Sequence, residues 1–345
     1  MNLGSPDSPE TKDVARYLNE FLMDGRVIDS PYLLRVLLVR GIIVPFRASK
    51  SAEAYKSIWT KEGSPLVHIT RQVQQALGQV IDEPVAIAMR YGKPDMQQAY
   101  EQLLSLAPGI EEVVLLPMYP HYAMSSYETA VAEAMEIHKK QQYRFRITTI
   151  KPFYNDPAYI NALAETIKPH LKQGHHVLFS YHSIPERHIT IRDVTASHCL
   201  KIADCCNVAS PAHEYCYRHQ CILTTQLVAE KTGLSVKDYS ISFQSKLGRE
   251  EWLKPSTTSR MEAMPAEGIK NLVVICASFV SDCLETLEEI EIRERENFIK
   301  AGGETYEYIP CLNVHPVWIK AIAGWINQLD KGNTELIFKP HAKYV

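Results

Sequence analysis

The sequence predicts an α/β protein of two similar Rossmann-like domains, each a parallel sheet flanked by helices. Two observations predict it. Short apolar runs rich in branched residues recur along the chain: VAIAM (85–89), VVLLP (113–117), FRITTI (145–150), VLFS (177–180) and LVVIC (272–276). Helix-length segments such as 96–106 and 128–141 alternate with them. That alternation is the pattern of parallel sheets covered on both faces, whose ligands gather beyond the carboxyl ends of the strands. At 345 residues the chain has the length of two ordinary domains.

Taken in order, Asn2-Leu3-Gly4-Ser5-Pro6 reads as the end of a strand and its turn, with almost nothing before it. Residues 33–46 (LLRVLLVRGIIVPF) are strongly apolar but too short to span a bilayer. They predict a core helix followed by a strand or loop. The second reading is an apolar lip that touches a membrane surface or a large flat apolar ligand. Around KPFYN (151–155) the chain crosses into a second domain, and the last helix (316–329) is expected to pack back on the first. The expected division is therefore 1–150 plus 316–345, and 151–315.

Composition narrows the function. The chain is 46% hydrophobic and 22% charged, with a net charge of −3 and no basic block, which argues against a nucleic-acid partner. No run of about 18 apolar residues predicts a transmembrane helix. The N-terminus has no apolar leader, so a cytoplasmic setting is expected. Disulfides are rare there, and grouped cysteines favour metal or redox chemistry.

Four predicted strand ends carry unusual residues: Arg90-Tyr91-Gly92, residues 118–122, residues 181–185 and residues 277–285. Loops converging from two sheets predict an active-site cleft between the domains. His182 directly follows a buried-looking strand, and a histidine so aimed suits a base, an acid or a metal ligand. His175, His176 and His188 are read as structural. Asp282, Glu285 and Glu289 are spaced to share one helical face. Glu291, Glu294 and Glu296 read as an exposed acidic face paired with Arg293 and Arg295. Arg90, Tyr91, Tyr119, His121 and Tyr122 add a cation and aromatic faces, and residues 244–248 with Trp252 and Leu253 a further wall.

Five of the eight cysteines, Cys199, Cys205, Cys206, Cys216 and Cys221, fall within 23 residues. Four thiolates from one segment suit an iron–sulfur cluster or zinc.

The motifs NLGSP (2–6), RYGKP (90–94), LPMYPHY (116–122), SYHSIPER (180–187), FQSKLGREEWLKP (243–255), FVSDCLETLEEI (279–290) and YEYIPCLN (306–313) occur in that order. Together they resemble ferrochelatase over nearly the whole chain, most closely the forms of Gram-negative bacteria. The resemblance implies a lyase that inserts Fe²⁺, as substrate, into protoporphyrin IX at the end of haem synthesis. It implies catalytic roles for His182 and Glu285, both also contacting the metal, with Asp282 a further candidate ligand. Arg47, Ser64 and Arg90 match positions near the porphyrin propionates or the pocket rim. Leu3, Tyr91, Tyr119, Trp252 and Phe279 are expected to line the substrate. Two departures stand out: Cys283 where animal enzymes carry histidine, and Arg293 in place of a further acidic residue, which shortens any acidic path for the metal.

Some ferrochelatases hold a [2Fe–2S] cluster, and residues 198–221 look like an insert absent from simpler bacterial enzymes. Cys199, Cys216 and Cys221 are the expected ligands, with Cys206 preferred to Cys205 as the fourth. Zinc, with four cysteines or with His213 or His219, is the alternative. Coproporphyrin III as substrate, cobalt as metal, and a non-catalytic haem or iron sensor are the rival readings. Peripheral association with the inner membrane face is the remaining expectation.

Overall fold

The structure is a computed structural model that describes residues 1–246, 248 and 250–340. The chain forms two compact units. Unit 1 comprises Met1–Met118, Met124–Lys151 and Ile322–Lys339; unit 2 contains Tyr119–Ala123 and Pro152–Ala321. The crossing at 151/152 lies one residue from the expected one. The last helix, α12 (Pro316–Asp330), is divided between the units instead of belonging wholly to the first. Packing explains this: Trp318, near its start, is buried against Phe153 and Tyr159, ring centroids 5.6 and 6.0 Å away.

In unit 1, β1 (Asn2–Gly4) pairs in parallel with β2 (Met89–Tyr91), and β3 (Glu112–Leu115) with β4 (Arg146–Thr149). Met1 joins the two pairs: its amino group donates to the Leu116 carbonyl at 2.7 Å, and its own carbonyl accepts from Met118 N–H at 2.8 Å. The strands thus follow the order β2-β1-β3-β4. The helices are α1 (Thr11–Leu22), α2 (Tyr32–Leu38), α3 (Val44–Ile58), α4 (Pro65–Leu77), α5 (Met96–Leu106) and α6 (Thr129–Lys140). The core joins Ala88, Met96, Tyr100, Val113, Leu115, Ala134 and Phe145. A reciprocal capping box between Asp95 and Gln98 fixes the start of α5 at its expected residue. The glycines of NLGSP and RYGKP allow a close backbone approach. A Cβ on Gly4 would sit 1.8 Å from the Tyr91 carbonyl oxygen, and one on Gly92 2.7 Å from that of Ser5.

Residues 33–46 do not form a core helix followed by a strand or loop. They are helical throughout, α2 running through a π-turn (Val39–Ile43) into α3. Tyr32, Leu33, Leu34, Leu37, Ile42 and Phe46 are exposed, Phe46 by 80%. Two arginines hold the segment down: Arg35 donates to the Ile28 and Ser30 carbonyls, and Arg40 to Asn19. No helix among the described residues is long and apolar enough to cross a membrane.

In unit 2 four parallel strands run in the order β6-β5-β7-β8: β5 (His176–His182), β6 (Tyr239–Gln244), β7 (Asn271–Ile275) and β8 (Thr305–Ile309). Relative to chain order within each unit, this is the order seen in unit 1. Both central strands carry a continuous apolar run, VLF (177–179) in β5 and LVVI (272–275) in β7, as befits strands covered on both faces. The edge strands β6 (YSISFQ) and β8 (TYEYI) alternate polar and apolar residues, and for that reason they do not stand out in the sequence. Helices α7 (Pro157–Ile167), α8 (Glu186–Ile191), α9 (Tyr217–Thr232), α10 (Thr257–Ala263) and α11 (Arg295–Lys300) complete the unit. Its core includes Leu178, Met261, Leu272, Val274, Ile290, Phe298 and Tyr308. A ten-residue π-helical segment, Glu285–Glu294, leads into α11. Such wide turns are rare and concentrate at functional sites.

Candidate active site

The sheet order of unit 2 reverses between β5 and β7, and the crevice beyond their carboxyl ends is where an open α/β sheet binds ligands. His182 ends β5 there. Its backbone N–H donates to Ser278 Oγ, just past β7, at 3.0 Å, and its ring meets Phe279 edge-on at 6.2 Å. His182 Nδ1 lies 2.6 Å from the Ser183 carbonyl oxygen. A carbonyl only accepts, so Nδ1 carries the proton and the Nε2 lone pair is the ring's basic site.

Across the same end of the sheet, β6 grips the π-helix. Gln244 Nε2 donates to the Glu285 carbonyl at 2.8 Å. Ser245, in the left-handed region at φ 66°, donates both its N–H, at 2.9 Å, and its hydroxyl to the Glu289 carboxylate. Burial raises the Glu289 carboxyl above the ordinary range, opposed by those bonds and by the charges of Arg293 and His182. Glu285 is half-buried, and the Cys283 thiol is hydrogen-bonded to its carboxyl. Burial, then the Glu285 charge, pushes that thiol well up, so it stays a neutral donor.

Asp282 lies before the helix and not on its face. Its carboxylate accepts from Tyr308 (2.5 Å), Asn313 (2.6 Å), Thr286 (3.1 Å) and Cys311 N–H (3.3 Å), and its own N–H donates back to Asn313 at 2.9 Å. These bonds fix the start of the π-helix. The exposed acidic face is also different from expectation: Glu291 pairs with Arg295 and Glu296 with Lys300, but Glu294 is fully buried, bonded to Thr258 and Asn297. Arg293 reaches Glu288 at 3.4 Å and Glu289 at 3.6 Å.

Of the other sequence candidates in unit 2, Trp252 makes a β-bridge to Pro185 and is half-buried, and Tyr119 is buried. His121 is buried neutral, bonded to Thr224 at 3.0 Å, with its titration held down to about 3 by burial. In unit 1, Leu3 is half-buried in β1, Ser64 is the buried residue before α4, and Arg47 is exposed on α3. The Arg90 guanidinium is committed to Asp24 (2.6 Å), Thr129 (2.8 Å) and Glu133 (3.6 Å) and stacks on Tyr91 at 4.4 Å. Tyr91 also donates to Asp24, at 2.9 Å. The residue types alone did not reveal this buried network, because Asp24 is 66 positions from Arg90.

All five clustered cysteines are buried. The Cys216 thiol is hydrogen-bonded to those of Cys199 and Cys206, and the Cys206 thiol also to that of Cys205. The Cys221 thiol is bonded to Tyr217. The contact with Cys199 and burial push the Cys216 thiol up to about 12, against the contact with Cys206. His213 stacks on His219 at 3.6 Å, and these rings meet the Cys205 and Cys206 carbonyls at 2.9 and 2.7 Å. Asp193 anchors the start of the segment, accepting from His198 N–H and Cys199 N–H at 2.8 and 2.9 Å. Among the described residues no three histidine, cysteine or acidic side chains are already disposed around a metal position.

An α/β protein with an oriented imidazole base beside a carboxylate-bearing π-helix has the equipment of an enzyme that removes protons from a bound molecule as it receives a cation. The comparisons give that class its family. The Ferrochelatase family model matches residues 1–329. The ferrochelatases of Opitutus terrae and Ectopseudomonas mendocina are 48% and 47% identical, covering 94% and 93% of this chain and 94% of each relative. That of Pseudomonas aeruginosa strain PAO1 is 45% identical over 96% of this chain and 97% of its own. The solved structure described as "SirB from Bacillus subtilis with Fe3+" shares the fold, with a TM-score of 0.53 at 14% identity over 79% of this chain and 93% of that one. The chain belongs to the ferrochelatase family, enzymes that place a metal ion in a porphyrin.

Proposed function

We propose that the substrates are Fe²⁺ and protoporphyrin IX, and that the product is protohaem. The observation that carries this reading is the fixed tautomer of His182 at the strand switch point, beside the carboxyl-lined π-helix. Metal insertion breaks two pyrrole N–H bonds as the ring nitrogens donate to iron. Two protons leave, and iron stays ferrous. His182 Nε2 takes a proton, with Glu285 the carboxylate that receives the other and guides the cation. Asp282 positions the helix and is not itself a ligand. Arg47, Ser64 and Arg90 lie near the propionates or the pocket rim. Leu3, Tyr91, Tyr119, Trp252 and Phe279 supply apolar wall.

We propose a [2Fe–2S] cluster held by Cys199, Cys205, Cys206 and Cys216, whose thiols would have to draw together to hold it, with Cys221 set aside because its thiol is engaged by Tyr217. Two adjacent ligands are then needed, contrary to the expectation from spacing. The histidines already serve backbone carbonyls, which favours thiols over a mixed zinc site. When bound, such a group would brace the segment or register redox state, since metallation transfers no electron.

The test is an anaerobic assay of purified protein with Fe²⁺ and either protoporphyrin IX or coproporphyrin III, with iron and acid-labile sulfide measured beforehand. Protohaem formation with about two irons and two sulfides per chain supports both parts, and Cys216→Ser is then expected to bleach the visible absorption. A preference for coproporphyrin or for cobalt replaces the substrate assignment. Failure to metallate any porphyrin replaces the enzyme with an iron sensor. Zinc in place of iron removes the cluster.

We also propose that the exposed lip of α2 and α3 rests on the inner face of the cytoplasmic membrane, with the rest of the enzyme in the cytoplasm. Its apolar side chains stand out without a covering element. Leu37→Asp with Phe46→Asp is expected to cut co-sedimentation with anionic lipid vesicles at least tenfold. Equal sedimentation of wild type and variant rules this out.

A further inference from the structure

We propose that Tyr217 is a positioning residue for His182, and that through it the state of the cysteine-rich segment reaches the catalytic base. Tyr217 is the first residue of α9 and directly follows Cys216. Its hydroxyl donates to the His182 carbonyl oxygen at 2.8 Å and is also hydrogen-bonded to Ser278, the residue that receives the His182 N–H. The 182–183 peptide is thereby pinned on both sides, because Ser183 N–H donates to the Gln244 carbonyl at 2.8 Å. The orientation of that peptide decides where the Ser183 carbonyl stands. That carbonyl in turn holds Nδ1 and leaves Nε2 basic.

The other end of the linkage is as tightly built. Cys216 precedes Tyr217 and is the central thiol, bonded to both Cys199 and Cys206. Cys221, one turn along α9, is bonded to the Tyr217 hydroxyl. Gln220, in the first turn, donates to the Glu214 carbonyl at 2.8 Å and accepts from Tyr122 N–H at 2.7 Å. The His121 ring packs edge-on to Tyr217 at 5.7 Å. Tyr217 is 5% exposed, so there is little room for its ring to absorb a shift of Cys216. A displacement of the Cys216 backbone on metal binding must move the phenol or break its bond to His182.

The transmission half of the proposal rests on the reading of the thiols as a metal site; the positioning half does not. The test uses full-length protein with ¹⁵N-labelled histidine. Tyr217→Phe is expected to lower kcat about tenfold with the porphyrin KM within about twofold, and to mix the His182 imidazole tautomers seen by NMR. A variant with wild-type kcat and a single Nδ1–H tautomer overturns the positioning role. If Tyr217→Phe fails to fold by circular dichroism, Ser278→Ala, which frees the opposite side of His182, takes its place under the same criteria. Reconstitution with iron and sulfide, compared with chelator-treated protein, is expected to shift the His182 signals in the wild type and leave them in place in Tyr217→Phe. Metal uptake without any shift in the wild type overturns the transmission. If metal analysis finds no uptake, the metal reading falls separately. Cys216→Ser then serves as the perturbation, and unmoved His182 signals overturn the transmission in that form too.

Discussion

Replacing His182 by alanine is expected to lower the turnover of iron insertion by about a thousandfold, within the range a positioned general base supplies. The argument is geometric. The ring stands at the end of a fully paired central strand, its backbone is held by Ser278 and Tyr217, and its Nδ1 proton is committed to Ser183. Nothing in the described bonding of the ring supports another element, so its removal should leave the fold intact. Porphyrin binding, followed by fluorescence quenching, is expected to persist while haem formation is lost. A variant that retains more than about a tenth of the wild-type turnover would place the base elsewhere. Glu289 would then be the first alternative, since it is buried beside His182 with a raised carboxyl.

Asp282→Ala is expected to cost about 3 kcal/mol of stability, because it leaves buried donors without their acceptor. Tyr308, Asn313, Thr286 and the Cys311 N–H all point at this carboxylate. Three stretches converge on it: β8, the segment after β8 and the π-helix. Its loss should therefore loosen the start of the π-helix and misplace Glu285, three residues on. Asp282→Asn keeps one acceptor oxygen and should recover part of the loss. Guanidinium unfolding at neutral pH measures both. A cost below about 1 kcal/mol for the alanine variant would mean that water satisfies the four donors and that Asp282 is free for another role.

The two variants separate functions carried by residues 100 positions apart in the sequence, at the carboxyl ends of the neighbouring strands β5 and β7. In the proposed reaction His182 acts at the pyrrole nitrogen, and Asp282 acts through the helix that carries Glu285. The same distinction applies to Gln244 and Ser245. They read in the sequence as part of a wall, yet they hold the Glu285 carbonyl and the Glu289 carboxylate. The left-handed backbone of Ser245 is an unusual conformation for a residue with a side chain, and it is what lets both of its donors reach one carboxylate.

The sequence by itself determined the α/β class, the central strands β5 and β7, and the helices α5 and α6, because buried parallel strands and amphipathic helices impose their periods on short windows. It also put His182 and Glu285 forward as candidates, since residues that follow buried strands are held at the ligand-binding edge. The ordered motifs tied them to one family. Only the tertiary structure decided the rest. Strands β6 and β8 escaped notice because an edge strand keeps polar residues on its open side. Arg90 looked like a free cation until the fold placed Asp24 against it. Residues 33–46 have the composition of a core helix, and apolar content does not reveal which element, if any, will cover them. The sequence ranked Cys199, Cys216 and Cys221 above the adjacent pair Cys205 and Cys206. The fold buries all five thiols. A hydrogen bond between residues tens of positions apart leaves no local trace, so the contact from Tyr217 to His182 could be read only from the folded chain.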